Sequence, residues 1–252
     1  IQDGAGERIV VDGRTITLGA SSSGTTVTNA MAYTVTIAGG TATVTLAKPA
    51  GVSEAAMQAL VNGITYQDTL RDTPTAGDRV FTLTQITDNG AGNNVSAPGI
   101  ASTVTVTPAN DAPVLDLNGA LAGRNYATYF NADTGAAVPI ADLDAAIADV
   151  DSATIASATI TLTTNRQADD ALSAGGLPAG ITASAYDPAT GRITLTGTAS
   201  LADYQAALRA ISFDTSSTAT GTRTISVTVN DGAANSNTAN ATVAILGAGN
   251  RP

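Results

Sequence analysis

The sequence predicts an all-β protein of two tandem β-sandwich modules, each with one short helix inserted. Three observations lead to this prediction. Most segments alternate apolar residues with Thr or Ser at a period of two, the pattern of strands that are buried on one face. Tight-turn sequences separate several of these segments. The order of elements in the first half of the chain also recurs in the second half.

The alternating segments are short, rich in threonine and regularly spaced. The clearest are 33–37, 41–46, 79–84, 102–106, 159–163, 192–196, 223–229 and 240–245. The stretches 38–40 and 187–191 contain the Gly, Asp and Pro residues that favour hairpin connections. Many short strands joined in this way are typical of a β-sandwich.

Two segments, 53–62 and 200–209, have the spacing of helices instead. Their apolar residues recur at three- and four-residue intervals: Met57, Leu60, Val61 and Ile64 in the first, and Leu201, Tyr204, Leu208 and Ile211 in the second. Ser200, followed three residues later by Asp203, fits a capping box at a helix start.

These helices belong to an internal repeat. Each leads into a short strand, a Thr-rich loop, a long strand opened by Arg79 or Arg223, an acidic turn, and a final Thr/Val strand. The repeat predicts two related modules, 1–109 and 110–252, joined near the prolines at 108 and 113. We expect the first module to be N-terminally incomplete, with its first strand upstream of this sequence.

Composition narrows the possible functions. Lys and Arg total 11 against 21 Asp and Glu, a net charge of −10, and Lys48 is the single lysine, so we expect no nucleic-acid partner. The absence of cysteine and histidine excludes disulfides, thiolate chemistry and the commonest general base. No stretch approaches the roughly 20 apolar residues of a membrane helix, so no membrane insertion is expected.

We also expect no enzymatic activity. Paired carboxylates can hydrolyse glycosides, but sugar clefts usually offer aromatic platforms, and the chain has three Phe, six Tyr and no Trp. Tyr126, Tyr129 and Phe130 cluster, but three aromatic residues on a β-strand more often pack in a core. Nucleophile-elbow, phosphate-loop and zinc signatures are absent from the sequence.

The acidic residues suggest a metal site. Nineteen of the 21 acids are aspartates, which suit cation binding from loops. Asp149 and Asp151 are two residues apart, so in an extended segment they point to the same side, where a divalent cation would relieve their repulsion. Calcium is the cation expected, because it accepts six to eight oxygens at flexible angles. The candidate ligands are Asn110, Asp111, Asp149, Asp151, Asp231, Asp116, Asp144 and Asp88. Each also fits an ordinary turn.

Three of these acidic stretches resemble a known family. The stretch 110–119 (NDAPVLDLNG), the segment 149–152 (DVDS) and the turn 229–232 (VNDG) look like the cadherin-like repeats of giant bacterial adhesins, which are secreted by the type I route and act in biofilms. The resemblance covers most of 110–252 and extends more loosely to 1–109. It implies Greek-key, cadherin/Ig-like sandwiches, with Asn110, Asp111, Asp149, Asp151 and Asp231 as calcium ligands. The glutamate often found early in such modules is absent here, which leaves one ligand per site open.

The resemblance also implies a function. The expectation is a calcium-binding extender repeat of a bacterial cell-surface adhesin, located outside the cell and made rigid by Ca²⁺ at the join and at the loop ends. Its partners would be neighbouring repeats of the same polypeptide, with host or biofilm glycans or proteins bound through other domains. The alternative is a calcium-dependent module that itself binds carbohydrate or another ligand.

Overall fold

A computed structural model describes residues 1–90, 92, 94–247 and 249. The chain forms two compact units, Ile1–Ala109 and Asn110–Pro252. Strands dominate both units, and the described residues contain two α-helices. The prediction of an all-β fold class is therefore confirmed. Neither helix is long and apolar enough to cross a membrane, which applies to the described residues only.

The first unit is built from short strands around one helix. Its elements are a 3-10 turn Gly4–Gly6, β1 Glu7–Val11, β2 Arg14–Thr17, β3 Ser22–Thr25, β4 Ala32–Ala38, β5 Thr41–Ala47, α1 Glu54–Asn62, β6 Thr65–Asp68, β7 Gly77–Leu83, β8 Ile86–Thr87, β9 Val95–Ser96 and β10 Ile100–Val106. They pair as β2-β1-β6, β3-β4-β5, β10-β7 and β8-β9. The pairing is antiparallel throughout.

The core of the first unit is small. Its buried residues are Ile9, Val11, Ile16, Leu18, Met31, Tyr33, Val35 and Leu60. The inward residues of β5, and Phe81 on β7, are only half-buried against this core, and β10 is exposed along nearly its whole length.

The second unit has longer strands and a larger core. Its elements are β11 Val114–Asp116, β12 Tyr126–Asn131, β13 Val138–Pro139, β14 Ala146–Ala148, β15 Thr154–Thr164, β16 Asp170–Ala174, β17 Thr182–Ala183, β18 Arg192–Ser200, α2 Leu201–Arg209, β19 Ile211–Thr215, β20 Gly221–Asn230 and β21 Ala239–Leu246. A six-stranded sheet runs β12-β21-β20-β15-β18-β17, and a smaller sheet runs β13-β19-β16. The β12–β21 pair is parallel, and β11 pairs with β14.

Both helices are capped by the serine that opens the predicted helical segment. Ser53 Oγ accepts the Ala56 N–H at 3.2 Å, and Ser200 Oγ accepts the Asp203 N–H at 3.1 Å. Each hydroxyl satisfies one backbone donor that the first helical turn leaves free. In α2 the predicted apolar face is confirmed, because Tyr204 and Leu208 are fully buried.

Two predicted packing positions differ in the structure. Ile64 follows the end of α1 and is 41% exposed, because the small core of the first unit does not reach past the helix. On β12 the sequence favours core packing for three clustered aromatic residues. Phe130 is buried, Tyr126 packs partly against the core, and Tyr129 is 49% exposed because neighbouring side chains on a strand alternate between its faces.

The strand registers of the two units correspond. Glu7 opens β1 opposite Asp68 on β6, the strand after α1. Asp170 opens β16 opposite Thr215 on β19, the strand after α2. The next long strand carries the buried arginine in both units, with Arg79 opposite Val104 and Arg223 opposite Val243. By this register β1, β6, β7 and β10 correspond to β16, β19, β20 and β21.

Candidate functional site

Three loops of the second unit bring five of the predicted ligands together at one end of that unit. We call Asn110, Asp111, Asp149, Asp151 and Asp231 the acidic loop cluster. The first two precede β11, the next two lie between β14 and β15, and the last lies between β20 and β21.

Side-chain hydrogen bonds connect these loops. The Asn110 amide donates to Asp231 Oδ2 at 2.9 Å, across 121 residues of sequence. The Asp111 N–H donates to Asp151 Oδ2 at 3.1 Å. Asn237, on the same loop as Asp231, both donates to and accepts from the Leu115 backbone at 2.9 Å, which holds that loop against β11.

The carboxylates of the cluster are partly occupied by backbone donors. Asp149 Oδ1 accepts the N–H groups of Asp151 and Ser152 at 3.1 and 2.9 Å. Asp231 Oδ1 accepts two N–H groups at 2.7 Å, from Ala233 and Ala234. Burial alone would raise the pKa of Asp231, but these bonds and the Asn110 amide outweigh it and lower that pKa. Asp231 is therefore ionised at neutral pH.

One oxygen of the cluster has no partner. Asp149 Oδ2 is buried from solvent and has no hydrogen-bond partner among the described residues. A buried carboxylate oxygen without a donor or a cation is unfavourable, because it has lost water and gained nothing in return. Of the five residues, Asp149 is therefore the one that a bound cation would stabilise most.

The other predicted ligands lie elsewhere. Asp116 and Asp144 are at the opposite end of the β11–β14 ladder from Asp149. Asp116 Oδ1 accepts the Asn118 and Gly119 N–H groups, and Asp144 Oδ2 accepts the Ala120 N–H at 2.9 Å, which lowers the pKa of Asp144. Both carboxylates thus stabilise one turn.

Asp88 is in the first unit, on the loop after β8. Its carboxylate accepts the Gly90 N–H at 2.8 Å and stabilises that turn. It belongs to no group of three neighbouring carboxylates in the part of the chain that the structure describes.

A different acidic group is the tightest one among the described residues. Asp3, Glu7 and Asp68 each place one carboxylate oxygen within 4.8 Å of the others. No three acids of the acidic loop cluster lie this close together in the part of the chain that the structure describes. A guanidinium already pairs with the group, since Arg79 donates from Nη2 to Asp3 at 2.7 Å and from Nε to Glu7. We call these four residues the Arg79 cluster.

The Arg79 cluster was not predicted as a unit, although the sequence contains a signal for it. Arg79 shares the inward face of β7 with Phe81 and Leu83, and an arginine in such a row requires a buried acceptor. Arg223 has the same position on β20, and its Nε donates to Asp170 Oδ2 at 2.9 Å with both side chains fully buried.

The pKa values of the acids in the Arg79 cluster are shifted in opposite directions. Burial is the largest influence on Asp3 and Glu7, yet hydrogen bonds from Thr75 and Arg79 outweigh it, so the pKa values of both acids are lowered. Burial and the neighbouring acids raise the pKa of Asp68. Burial and the bond to Glu7 raise the pKa of Tyr66 to about 12.

These shifts predict a pH dependence for the first unit. The lowered pKa values of Asp3 and Glu7 contribute stability that is complete above about pH 5 and is lost as pH falls through their folded-state values. Asp68 opposes this trend, because its raised pKa costs stability as pH rises above its ordinary value. We expect the lowered pair to dominate, so the free energy of unfolding should fall as the pH is lowered below about 5.

Hydrogen exchange resolved to the first unit would measure this dependence. The acid limb is the part of the curve, below about pH 5, where the free energy of unfolding falls with pH. The change Glu7→Gln should flatten this limb while keeping an acceptor for Arg79. Glu54→Gln, at the other glutamate, which is exposed at the start of α1, is the matched control and should leave the limb unchanged. An equal flattening by both changes would contradict the assignment to Glu7.

Comparison with known proteins adds no family to these observations, because neither the protein-family models nor the curated proteins gave a match to the chain.

Proposed function

We propose that the chain is a calcium-binding extender repeat of a bacterial cell-surface adhesin, with a structural role outside the cell. The two units would be cadherin/Ig-like Greek-key sandwiches of one repeat type, as their corresponding strand registers suggest. The calcium site would be the acidic loop cluster of the second unit.

The observation that carries the proposal is the unpartnered, buried Oδ2 of Asp149. Asp151, two residues further along the same loop, is hydrogen-bonded to the backbone of Asp111. Asn110, the residue before Asp111, is hydrogen-bonded to Asp231. A cation at Asp149 would provide the missing partner and draw the remaining carboxylates inward. Loop carboxylates with amide and backbone oxygens form the oxygen-rich, adaptable shell that calcium accepts.

Calcium here would have a mechanical effect on the second unit. The acids of the three loops carry like charges, and the hydrogen bonds described above connect the loops without neutralising those charges. With a cation bound, the chain entering β11 is fixed to the loops before β15 and after β20. Sites of this kind in extracellular modules bind at about 10⁻⁴–10⁻³ M, so the unit would become rigid where calcium is abundant.

The test is calcium-dependent stability of the full chain. With free calcium at about 100 times the dissociation constant, the second unit should gain about 2.7 kcal/mol over its value in EDTA. Calorimetry and melting curves in both conditions measure this gain. Superimposable curves would overturn the proposal.

One substitution assigns the effect to the cluster. Asp149→Asn keeps Oδ1 as an acceptor for two N–H groups but removes the charge, and it should weaken calcium binding at least tenfold while leaving the EDTA curve nearly unchanged. Asp187→Asn is the matched control, because Asp187 Oδ1 also accepts a backbone N–H, from Ala189 at 2.9 Å, in a turn outside the cluster. Equal calcium affinities for the two variants would place the site elsewhere.

A further inference from the structure

The first unit contains the single lysine of the chain, and the lysine amine lies against an asparagine. Lys48 follows β5, and its Nζ donates to the backbone carbonyl oxygen of Asn29 at 2.6 Å. Asn29 lies in the loop between β3 and β4. Its side-chain carboxamide belongs to the same residue as this carbonyl, so rotation of the flexible lysine side chain is enough to bring Nζ to the carboxamide carbon, Cγ. An amine nucleophile and an amide carbon are therefore neighbours.

An aspartate holds the carboxamide in place. Asn29 Nδ2 donates to Asp12 Oδ1 at 2.6 Å, and the Asn29 backbone N–H donates to Asp12 Oδ2 at 3.0 Å. Burial would raise the pKa of Asp12, but hydrogen bonds from Thr26 and Asn29 and the charge of Lys48 outweigh it and lower that pKa. The Asp12 carboxylate is therefore ionised, bonded to the carboxamide nitrogen, and close enough to Lys48 for the two charges to interact.

The backbone beside these side chains is strained. Among the described residues, three that are not glycine have a positive φ, and two of them are here, Asp12 and Ala30, both at +49°. Strain of this kind is concentrated at functional sites. Asp12 and Asn29 also line a cleft of about 330 Å³ beside α1, and the side chains of Asp12, Asn29 and Lys48 are half-buried. The loops thus hold the carboxamide at a fixed place that remains open to a small leaving group.

We propose that Lys48 and Asn29 form an intramolecular amide bond, with Asp12 as the proton carrier. Asp12 first accepts a proton from the lysine ammonium, which frees the lone pair of Nζ. The lone pair forms the bond to Asn29 Cγ, and the Cγ–Nδ2 bond breaks. Two protons pass in turn from Nζ through Asp12 to Nδ2, which leaves as ammonium. One secondary amide replaces a primary amide and an amine, so the step needs no oxidant and no co-reactant.

The bond closes a covalent ring around the β4–β5 hairpin. Asn29 precedes β4 and Lys48 follows β5, and the two strands pair from Ala32 opposite Ala47 to Ala38 opposite Thr41. A cross-link of this kind stabilises mainly by restricting the unfolded chain, as a disulfide does. The chain has no cysteine and the core of the first unit is small, so the amide supplies a covalent connection that the composition otherwise lacks. The inference is independent of the calcium site, which lies in the other unit.

Intact-mass measurement of the purified full chain tests the proposal. The mass should lie below the value calculated from the sequence by one ammonia. Cleavage at arginine then releases residues 15–71 as one peptide, because Arg71 is the next arginine after Arg14. Fragmentation of this peptide should give no backbone fragments between Asn29 and Lys48, since the ring keeps both halves together.

Two variants separate the amide from other losses of ammonia. Lys48→Arg keeps the cation and a donor for the Asn29 carbonyl but removes the nucleophilic amine, so this variant should have the full calculated mass. Asp12→Asn keeps a side-chain acceptor of the same shape but cannot carry the proton, and it should slow formation of the amide by about a hundredfold. Slow hydrogen exchange in 32–47 shows that both variants are folded.

Three results would overturn the proposal. The first is the full calculated mass in the unsubstituted chain after refolding and prolonged incubation. The second is a loss of ammonia that persists in Lys48→Arg, or a peptide that fragments between Asn29 and Lys48, because either indicates a cyclic imide at Asn29 instead. The third is formation of the amide in Asp12→Asn at the unsubstituted rate, which would remove Asp12 from the step.

Discussion

Replacing Arg223 with methionine is expected to destabilise the second unit by about 3–5 kcal/mol, the usual cost of leaving one member of a buried ion pair uncompensated. Arg223 and Asp170 are both 0% exposed at the side chain. Asp170 Oδ2 also accepts the Gln167 N–H at 2.8 Å, while its Oδ1 has no partner among the described residues. Without the guanidinium, one backbone N–H alone would have to stabilise a buried carboxylate.

The double change Arg223→Met with Asp170→Leu separates the ion pair from the packing. Apolar replacement of both members of a buried pair is often nearly neutral, so most of the lost stability should return. Arg192→Met is the matched control, because Arg192 opens β18 and is exposed, and such a change is expected to stay within about 0.5 kcal/mol. Denaturant unfolding followed by hydrogen exchange in the second unit measures all three. A double variant as unstable as the single one would show that Arg223 acts through its packing.

The sequence was sufficient for the long strands and the two helices because their signals are local. Alternation with threonine located the long strands, and Ser53 and Ser200 located the helix starts. The pairing of the strands could not be predicted, because a period of two indicates which face of a strand is buried but not which strand lies beside it. The parallel contact of β12 with β21 joins segments more than 100 residues apart and has no sequence signature.

For the candidate site, the sequence likewise predicted the local feature but not which residues lie together. The pattern indicated acids in loops, and five of the eight predicted ligands belong to loops that meet. The β11–β14 ladder separates Asp116 and Asp144 from those five, and the sequence could not reveal this because it depends on the register of two three-residue strands. The Arg79 cluster was missed because the residues that surround Arg79 precede it by 11 to 76 positions.

In the first unit, Arg79→Ser is expected to convert an ion-paired cluster into a calcium-dependent one. Asp3, Glu7 and Asp68 have oxygens within 4.8 Å of one another, and a pair of unit charges at that distance repels by about 3.5 kcal/mol at an effective dielectric constant of 20. Removing the guanidinium should therefore destabilise the unit by about 3–5 kcal/mol at neutral pH in EDTA. Acid should reverse part of this loss by protonating the carboxylates.

Calcium should restore stability to the serine variant, because the short side chain leaves room for a hydrated cation among three carboxylates. Arg79→Met is the matched control. Its apolar side chain fills the space without charge, so acid should stabilise this variant but calcium should not. The unsubstituted first unit should show no calcium dependence, because Arg79 already donates to Asp3, Glu7, Gln2 and two backbone carbonyls. Hydrogen exchange in 65–83, with calcium and with EDTA, distinguishes the three proteins. An equal response to calcium in all of them would mean that Arg79 does not occupy the place of a cation.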